Sequence, residues 1–256
     1  MLIELKTESE LAAMRVAGAV VGEALRAVRA AAGIGVSLRE LDEIAAEVLR
    51  EAGAKSSFLH YHPRSAPAPY PAVLCTSVND AVVHGIPTDY RLRDGDLLSI
   101  DFGAEVDGWN GDAATSFVVG TPDERDLDLI AATERGLAAG IAAAVPGARL
   151  GDIGHAIGLV GRAAGYGLVA DHGGHGIGRA MHEAPHVPNE GRPGRGMRLR
   201  AGMVLAIEPM FTASGRDDYR TAADGWTLHT ADGSRAAHAE HTVAITADGP
   251  RILTVP

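Results

Sequence analysis

Cysteine occurs once in 256 residues, at Cys75, so the chain can form no internal disulfide and offers no cluster of thiolates to a metal. That usage fits a reducing compartment. Lysine is almost as scarce, at Lys6 and Lys55 only, and arginine carries most of the positive charge. Acidic residues outnumber basic ones by 33 to 23, and the resulting net charge of −10 argues against general affinity for nucleic acid. No apolar run is long enough to span a bilayer, and residues 1–10 carry acidic side chains where a secretory signal has its apolar core. A cytoplasmic chain without membrane association is therefore expected. With 46% apolar residues the chain can bury a substantial core, and we expect a single domain over residues 1–256 with no internal linker.

Against these absences stand five residues that read as one site: Asp101, Asp112, His175, Glu208 and Glu240. Four carboxylates brought together repel one another unless cations lie between them, so the set predicts two bound divalent metals and hydrolysis by a metal-bridging hydroxide. The local sequence supports each member. In Leu97-Leu98-Ser99-Ile100-Asp101-Phe102, apolar and polar residues alternate as in a strand with one buried face. Asp107-Gly108 is a hairpin signal, and residues 109–119 read as the returning strand. With a two-residue turn, position 101 pairs with 114 and Asp112 becomes a diagonal neighbour of Asp101 on the same face. A bulge at Asn110-Gly111 is the alternative that would shift this register. His175 lies in His172-Gly173-Gly174-His175-Gly176-Ile177-Gly178, whose glycines allow the backbone to approach a bound group closely. Glu208 follows the apolar run 203–207 and precedes Pro209, which biases it toward an extended strand end. Glu240 opens the strand-like Glu240-His241-Thr242-Val243-Ala244-Ile245. Taken singly, each of these residues is ordinary; their joint order and neighbours make the case.

Over residues 9–253 the chain resembles the type I methionine aminopeptidases. The resemblance is carried by Ser77-Val78-Asn79-Asp80-Ala81-Val82-Val83-His84-Gly85-Ile86-Pro87, by residues 101–112 and by Gly174-His175-Gly176-Ile177-Gly178. It continues through Met181-His182-Glu183, Ile207-Glu208-Pro209-Met210, Asp224-Gly225-Trp226-Thr227 and Glu240-His241-Thr242. It implies that Asp101 serves one metal, that His175 and Glu208 serve the other, and that Asp112 and Glu240 bridge the two. It also implies that His84 and His182 face the substrate without binding metal, His84 near the scissile amide nitrogen and His182 near the carbonyl that becomes the oxyanion. Tyr70, Cys75, Met181 and Trp226 would line an apolar pocket for methionine. The implied substrates are nascent peptides that begin with Met and continue with a small residue.

The implied fold is an α/β (α+β) pita-bread: two pseudo-symmetric halves with a curved antiparallel sheet, outer helices, and the metals between the halves. The sequence carries a weak trace of such a repeat. An offset of 112 residues aligns Gly35 with Gly147, Leu38 with Leu150, Glu40 with Asp152, Leu41 with Ile153, Val48 with Val160, Arg50 with Arg162 and Gly53 with Gly165. Each copy reads as a helix that ends at glycine and follows a longer alanine-rich helix. Thr7 with Glu10, and Ser37 with Glu40, have capping-box spacing.

Oxygen-rich ligation with one imidazole favours cobalt, manganese or iron(II), and zinc and nickel remain compatible. Cys75 with His84 as its base would be a cysteine-nucleophile alternative, but a small buried thiol is the plainer reading. The proline-rich residues 63–71 form a stiff loop toward the cleft. Ala72-Val73 stands where the family commonly has Lys-Ser, and Met181 where an aromatic residue is common, which puts the exact pocket shape in question. Arg192, Arg195, Arg198 and Arg200 form a basic loop, the candidate surface for a transient ribosome contact, with a solvated loop as the plainer reading. No direct nucleic-acid binding is expected, and a monomer is. Two alternatives share the fold: a proline-directed aminopeptidase or prolidase, and a non-catalytic binding protein, which would have lost metal ligands that are all present here.

Overall fold

The computed structural model describes residues 3–64, 66–169 and 171–255. Ser65 of the proline-rich loop and both ends of the expected 1–256 domain lie outside the described residues. Four long helices are described: α1 (Glu8–Ala31), α2 (Leu38–Glu51), α3 (Glu124–Ala143) and α4 (Leu150–Ala163). Capping boxes start the first two. The Thr7 and Ser37 hydroxyls accept from the Glu10 and Glu40 amides, while each glutamate accepts from the amide of its cap, at 2.8 and 2.7 Å.

The 112-residue offset is structural. It carries α2 onto α4 residue for residue, and the glycines that precede these helices, Gly35 and Gly147, share a left-handed backbone at φ 88° and 91°. Only glycine adopts that conformation without strain, which is why the pair stood out in so divergent a repeat. In the second copy Asp152 accepts from the Arg149 amide at 2.7 Å, the counterpart of Glu40 on Ser37.

A nine-stranded antiparallel sheet runs through both halves in the order Lys55–Ser56, Leu97–Val106, Trp109–Val118, Glu240–Thr246, Val204–Ile207, Gly173–Gly176, Glu183–Pro188. Leu74–Val78 joins Leu97–Val106, and Gly249–Ile252 joins Glu240–Thr246. Helices α1 and α2 cover one half through Val21, Val28, Leu41, Leu98, Ile100 and Phe102. The other half is covered by α3 and α4 through Leu129, Ile153, Ile157, Leu205, Ile207 and Val243. Burying these side chains, at roughly 1.5–3 kcal/mol each, fixes which sheet face the helices take and leaves the other for the site.

The central hairpin has the expected register. Val106 pairs with Trp109 across a two-residue turn in which Asp107 and Gly108 both have positive φ, and Asp101 pairs with Ala114. No bulge interrupts the ladder at Asn110-Gly111. The Asn110 side chain is occupied instead, donating to the Gly178 carbonyl at 3.0 Å and accepting from the Ser57 hydroxyl at 2.8 Å. Among the described residues, no helix is long and apolar enough to cross a membrane.

Candidate active site

Strand pairing alone assembles most of the site. Directly paired residues share a sheet face, so Asp101, opposite Ala114, and Asp112, opposite Gly103, point to the same side. Glu240 also pairs with Ala114, which brings a third carboxylate onto that face. On the next strand His241 pairs with Ile207, and one further step of that register brings Glu208 to Glu240. The remaining member, His175, sits in the strand Gly173–Gly176. Its Nε2 lies 3.8 Å from Asp112 Oδ2 and 3.6 Å from Glu208 Oε1. All five residues line one cleft of about 430 Å³.

The glycines around His175 are required by the sheet itself. A Cβ on Gly174 would stand 2.0 Å from the Ala206 carbonyl oxygen, and one on Gly176 would stand 2.2 Å from that of Ala184. They admit the neighbouring chain segments and so seat the His175 strand tightly in the sheet. The His175 ring is oriented by its Nδ1, which bonds the Gly176 carbonyl at 2.9 Å. Nδ1 therefore donates to that carbonyl, and Nε2 is the nitrogen turned toward the carboxylates.

The electrostatics of the cluster call for cations. Asp112 and Glu240 are 3% and 1% exposed, and Asp101 Oδ1, Asp112 Oδ1 and Glu240 Oε1 are buried without a hydrogen-bond partner. Leaving such atoms unpaired is costly. In the metal-free chain burial pushes the Asp101 carboxyl up to about 7. Burial, reinforced by the neighbouring carboxylates, holds Asp112 and Glu240 well above the usual range. Burial also works against the charge on Glu208, but the His238 and His175 imidazoles outweigh it and hold that carboxyl at about 2. Donor atoms of Asp112, His175 and Glu240 lie within 4.8 Å of one another, as do those of Glu208, His238 and Glu240. Oxygen donors around one imidazole, with orphaned oxygens facing inward, fit divalent cations.

Beside the carboxylates Tyr70, Cys75, Met181 and Trp226 form an apolar wall of the cleft, joined by Phe58. Tyr70 donates to the Leu74 and Gly85 carbonyls at 3.1 and 2.9 Å, and the edge of Trp226 meets its ring, with centroids 5.1 Å apart. The Trp226 indole donates to the Ala68 carbonyl at 3.0 Å, which pins the proline-rich loop over this wall. Cys75 pairs with Asp101, and burial with that nearby charge pushes its thiol well above the usual range, so it is a neutral packing group and not a nucleophile.

The cleft is also lined by His84 and His182. Burial holds His84 down at about 4. His182 stacks between the Tyr61 and His175 rings, at centroid distances of 4.9 and 4.1 Å, with one edge open to solvent. Desolvation and the adjacent His175 hold it well below the usual histidine range. Both are neutral at pH 7, each with one donor and one acceptor nitrogen.

Several residues of the site had not been singled out from the sequence. Phe58, Tyr61 and Tyr219 line the cleft from loops and a short strand with no local motif to mark them, and His172 opens the glycine-rich run that carries His175. His238 was legible in principle, because it lies two residues before Glu240, the spacing that returns a side chain to the same strand face. The arginine loop is exposed, with Arg195 and Arg198 tied to the start of α4: the Gly151 amide donates to the Arg195 carbonyl at 3.0 Å, and Arg198 donates to the Gly147 carbonyl at 3.3 Å.

The chain matches the metallopeptidase family M24 over residues 12–247. It is 56% identical to methionine aminopeptidase 1 of Mycobacterium tuberculosis, across 98% of this chain and 94% of that protein. It is 46% identical to the methionine aminopeptidase of Clostridium acetobutylicum, across 99% of both. The crystal structure of methionine aminopeptidase from Thermotoga maritima superposes over the whole of both chains with a TM-score of 0.95 at 41% identity. The prolidase of Pyrococcus furiosus aligns with a TM-score of 0.77 at 23% identity, covering 98% of this chain and 65% of that one, which extends the likeness to the shared pita-bread fold alone.

Proposed function

The chain belongs to the metallopeptidase family M24, a family of metal-dependent hydrolases, and from that premise we propose that it removes the N-terminal methionine from peptides whose second residue is small. The observation that carries this reading is the cleft itself: four carboxylates and His175 line it beside an apolar wall of Tyr70, Cys75, Met181, Trp226 and Phe58. We assign two divalent ions to the carboxylates and His175. Asp101 would hold one, His175 and Glu208 would hold the other, and Asp112 and Glu240 would be shared by both. The thiolate-free donor set favours manganese, iron(II) or cobalt. Bound there, such ions supply a strong nucleophile at neutral pH and polarise the scissile carbonyl.

The chain's own residues do the rest. Tyr70, Cys75, Met181, Trp226 and Phe58 take the methionine side chain and so align the first peptide bond beside the carboxylates. The four carboxylates give this part of the cleft its negative character, which would draw the substrate's cationic N-terminus toward it. His182 donates to the carbonyl oxygen as charge develops on it, and because the imidazole is neutral beforehand the interaction strengthens toward the transition state. His84 faces the amide nitrogen, with its ring edge-on to Trp226 at 6.3 Å. The second substrate residue then lies between these two histidines and the carboxylates, where a large side chain meets crowding. We take the enzyme to act as a monomer in the cytoplasm, and we assign any transient ribosome contact to the exposed arginine loop.

The test compares kcat/KM for Met-Ala-Ser, Met-Lys-Ser and Xaa-Pro dipeptides on metal-depleted protein, with ions restored one at a time. Met-Ala-Ser is expected to be cleaved far faster than Met-Lys-Ser. Equal rates on the two would overturn the small-residue rule, and preference for Xaa-Pro would favour a prolidase. An apolar pocket discriminates a single methylene by only about 1–3 kcal/mol, so norleucine at the first position is expected to be cleaved slowly.

A further inference from the structure

Behind the cleft wall a second imidazole turns toward the carboxylates. His238 is 1% exposed; its Nε2 lies 3.6 Å from Glu208 Oε2 and 3.9 Å from Glu240 Oε2, and it has no hydrogen-bond partner among the described residues. The backbone beneath it is fixed. The His238 amide donates to Ser116 Oγ at 2.9 Å, Ser116 Oγ donates to the His238 carbonyl at 2.7 Å, and Ser99 Oγ, 2.7 Å away, completes the chain. His238 also pairs with Met210, and the next residue, Ala239, donates to the Pro209 carbonyl at 3.3 Å. The segment that carries His238 is thus bonded to the one that carries Glu208.

Glu208 consequently has an imidazole at each oxygen: His175 3.6 Å from Oε1 and His238 3.6 Å from Oε2. The two rings are not equivalent. All five proposed ligands line the cleft, and His238 does not. A buried nitrogen left unpaired is costly, and a separation of 3.6 Å is closed to a hydrogen bond by a small rotation of either side chain. Ligating carboxylates depend on such outer hydrogen bonds for their orientation.

We propose that His238 is a positioning residue for the metal site, whose Nε2–H donates to Glu208 Oε2 and so keeps Oε1, beside His175, turned into the cleft. This rests on the two-metal reading given above. Its effect belongs to metal binding, before any substrate arrives.

The experiment is calorimetric titration of the metal-depleted chain with manganese(II) chloride and no substrate, for the wild type and for His238→Gln, His238→Ala and His238→Leu. Thermal scans in chelator confirm that each variant is folded, and leucine fills the space if alanine does not fold. Loss of affinity by about 10- to 100-fold in the alanine and leucine variants is expected, with most of it restored by glutamine, whose amide keeps a donor. A merely structural residue would move the thermal midpoint and leave the metal affinity of the folded protein unchanged, and that result overturns the proposal. Equal loss in the glutamine variant, or two imidazoles around cobalt(II) by X-ray absorption, would make His238 a ligand and overturn it as well. Failure of the wild type to bind manganese would instead remove the two-metal reading and the proposal with it, an outcome distinct from wild-type binding that His238→Ala leaves intact.

Discussion

Two histidines whose rings lie 4.1 Å apart are given different tasks by their surroundings. His175 has its Nδ1 bonded to the Gly176 carbonyl, which commits Nε2 to the carboxylates. His182 is positioned by ring stacking on Tyr61 and keeps an edge free toward the cleft. Replacing His182 with alanine should therefore lower kcat by roughly 10²- to 10³-fold, the scale set by loss of one oxyanion donor, with metal affinity nearly unchanged. Calorimetry with manganese checks the division: a loss of affinity in His182→Ala as large as in His175→Ala would contradict it. At this scale the sequence was informative wherever a residue sits in a motif, as Asp101, Asp112, His175, Glu208 and Glu240 do. It was silent where a side chain reaches the cleft from a loop of no special composition. Phe58 and Tyr61 are such cases, since their approach depends on how separate segments pack, which no local pattern encodes.

Secondary elements hold those side chains through backbone fit as much as through apolar contact. The His175 strand approaches Val204–Ile207 so closely that a methyl group on Gly174 would overlap the Ala206 carbonyl, a backbone atom that no rotamer change can move aside. Gly174→Ala should destabilise the fold by about 1–3 kcal/mol or more, lower the thermal midpoint and weaken metal binding together, readable by denaturant unfolding and titration. Wild-type stability in that variant would mean that the sheet is looser here than its geometry indicates. One of only two lysines is buried. Lys6 Nζ meets Glu183 Oε2 at 2.8 Å, and Glu183 directly follows His182 and accepts from the Ala180 amide at 3.1 Å. Breaking a buried pair from one side leaves the other charge uncompensated, at about 3–5 kcal/mol when both are fully buried. Because Glu183 retains partial exposure, Lys6→Met should cost less than that and should reduce kcat more than metal affinity, as urea unfolding and steady-state kinetics would establish. The helix repeat and the hairpin register were readable beforehand, since capping boxes, left-handed glycines and an Asp-Gly turn are local signals. The purpose of the His175 glycines was not, because close approach between strands distant in sequence leaves only a glycine behind, with no mark of what it admits.

For the whole molecule, two helix-covered half-cores meet along a sheet whose open face gathers the carboxylates, so the cations proposed for that face also serve the junction between the halves. The repeat at 112 residues announced two halves, but not that their shared face would be the most strained electrostatically; that follows only once four carboxylates are buried together. The consequence is a pH dependence specific to the metal-free protein. Asp101 is raised to about 7 from 3.8, and Asp112 and Glu240 stand well above their ordinary values. An unfolded chain ionises all three by about pH 6, so near neutrality the folded chain holds the extra protons. Stability changes with pH in proportion to protons bound unfolded minus folded, and the difference is negative here, so stability falls as pH rises. His84, His182 and His241, all lowered, act in the opposite sense only below their unfolded values near 6.5 and are neutral in both states above about pH 7.5. Cys75, raised by burial, adds to the fall near pH 8 and beyond. The thermal midpoint in chelator should therefore drop between pH 7 and pH 8. With saturating manganese(II) the drop should vanish or reverse, because cations then take the positions of the protons and bind more tightly as competition for the ligands declines. Calorimetric scans at both pH values, with and without the ion, decide the matter: a metal-free midpoint that rises across this window, or a fall that manganese does not remove, would show that the carboxylates are not the groups that set the stability of the junction.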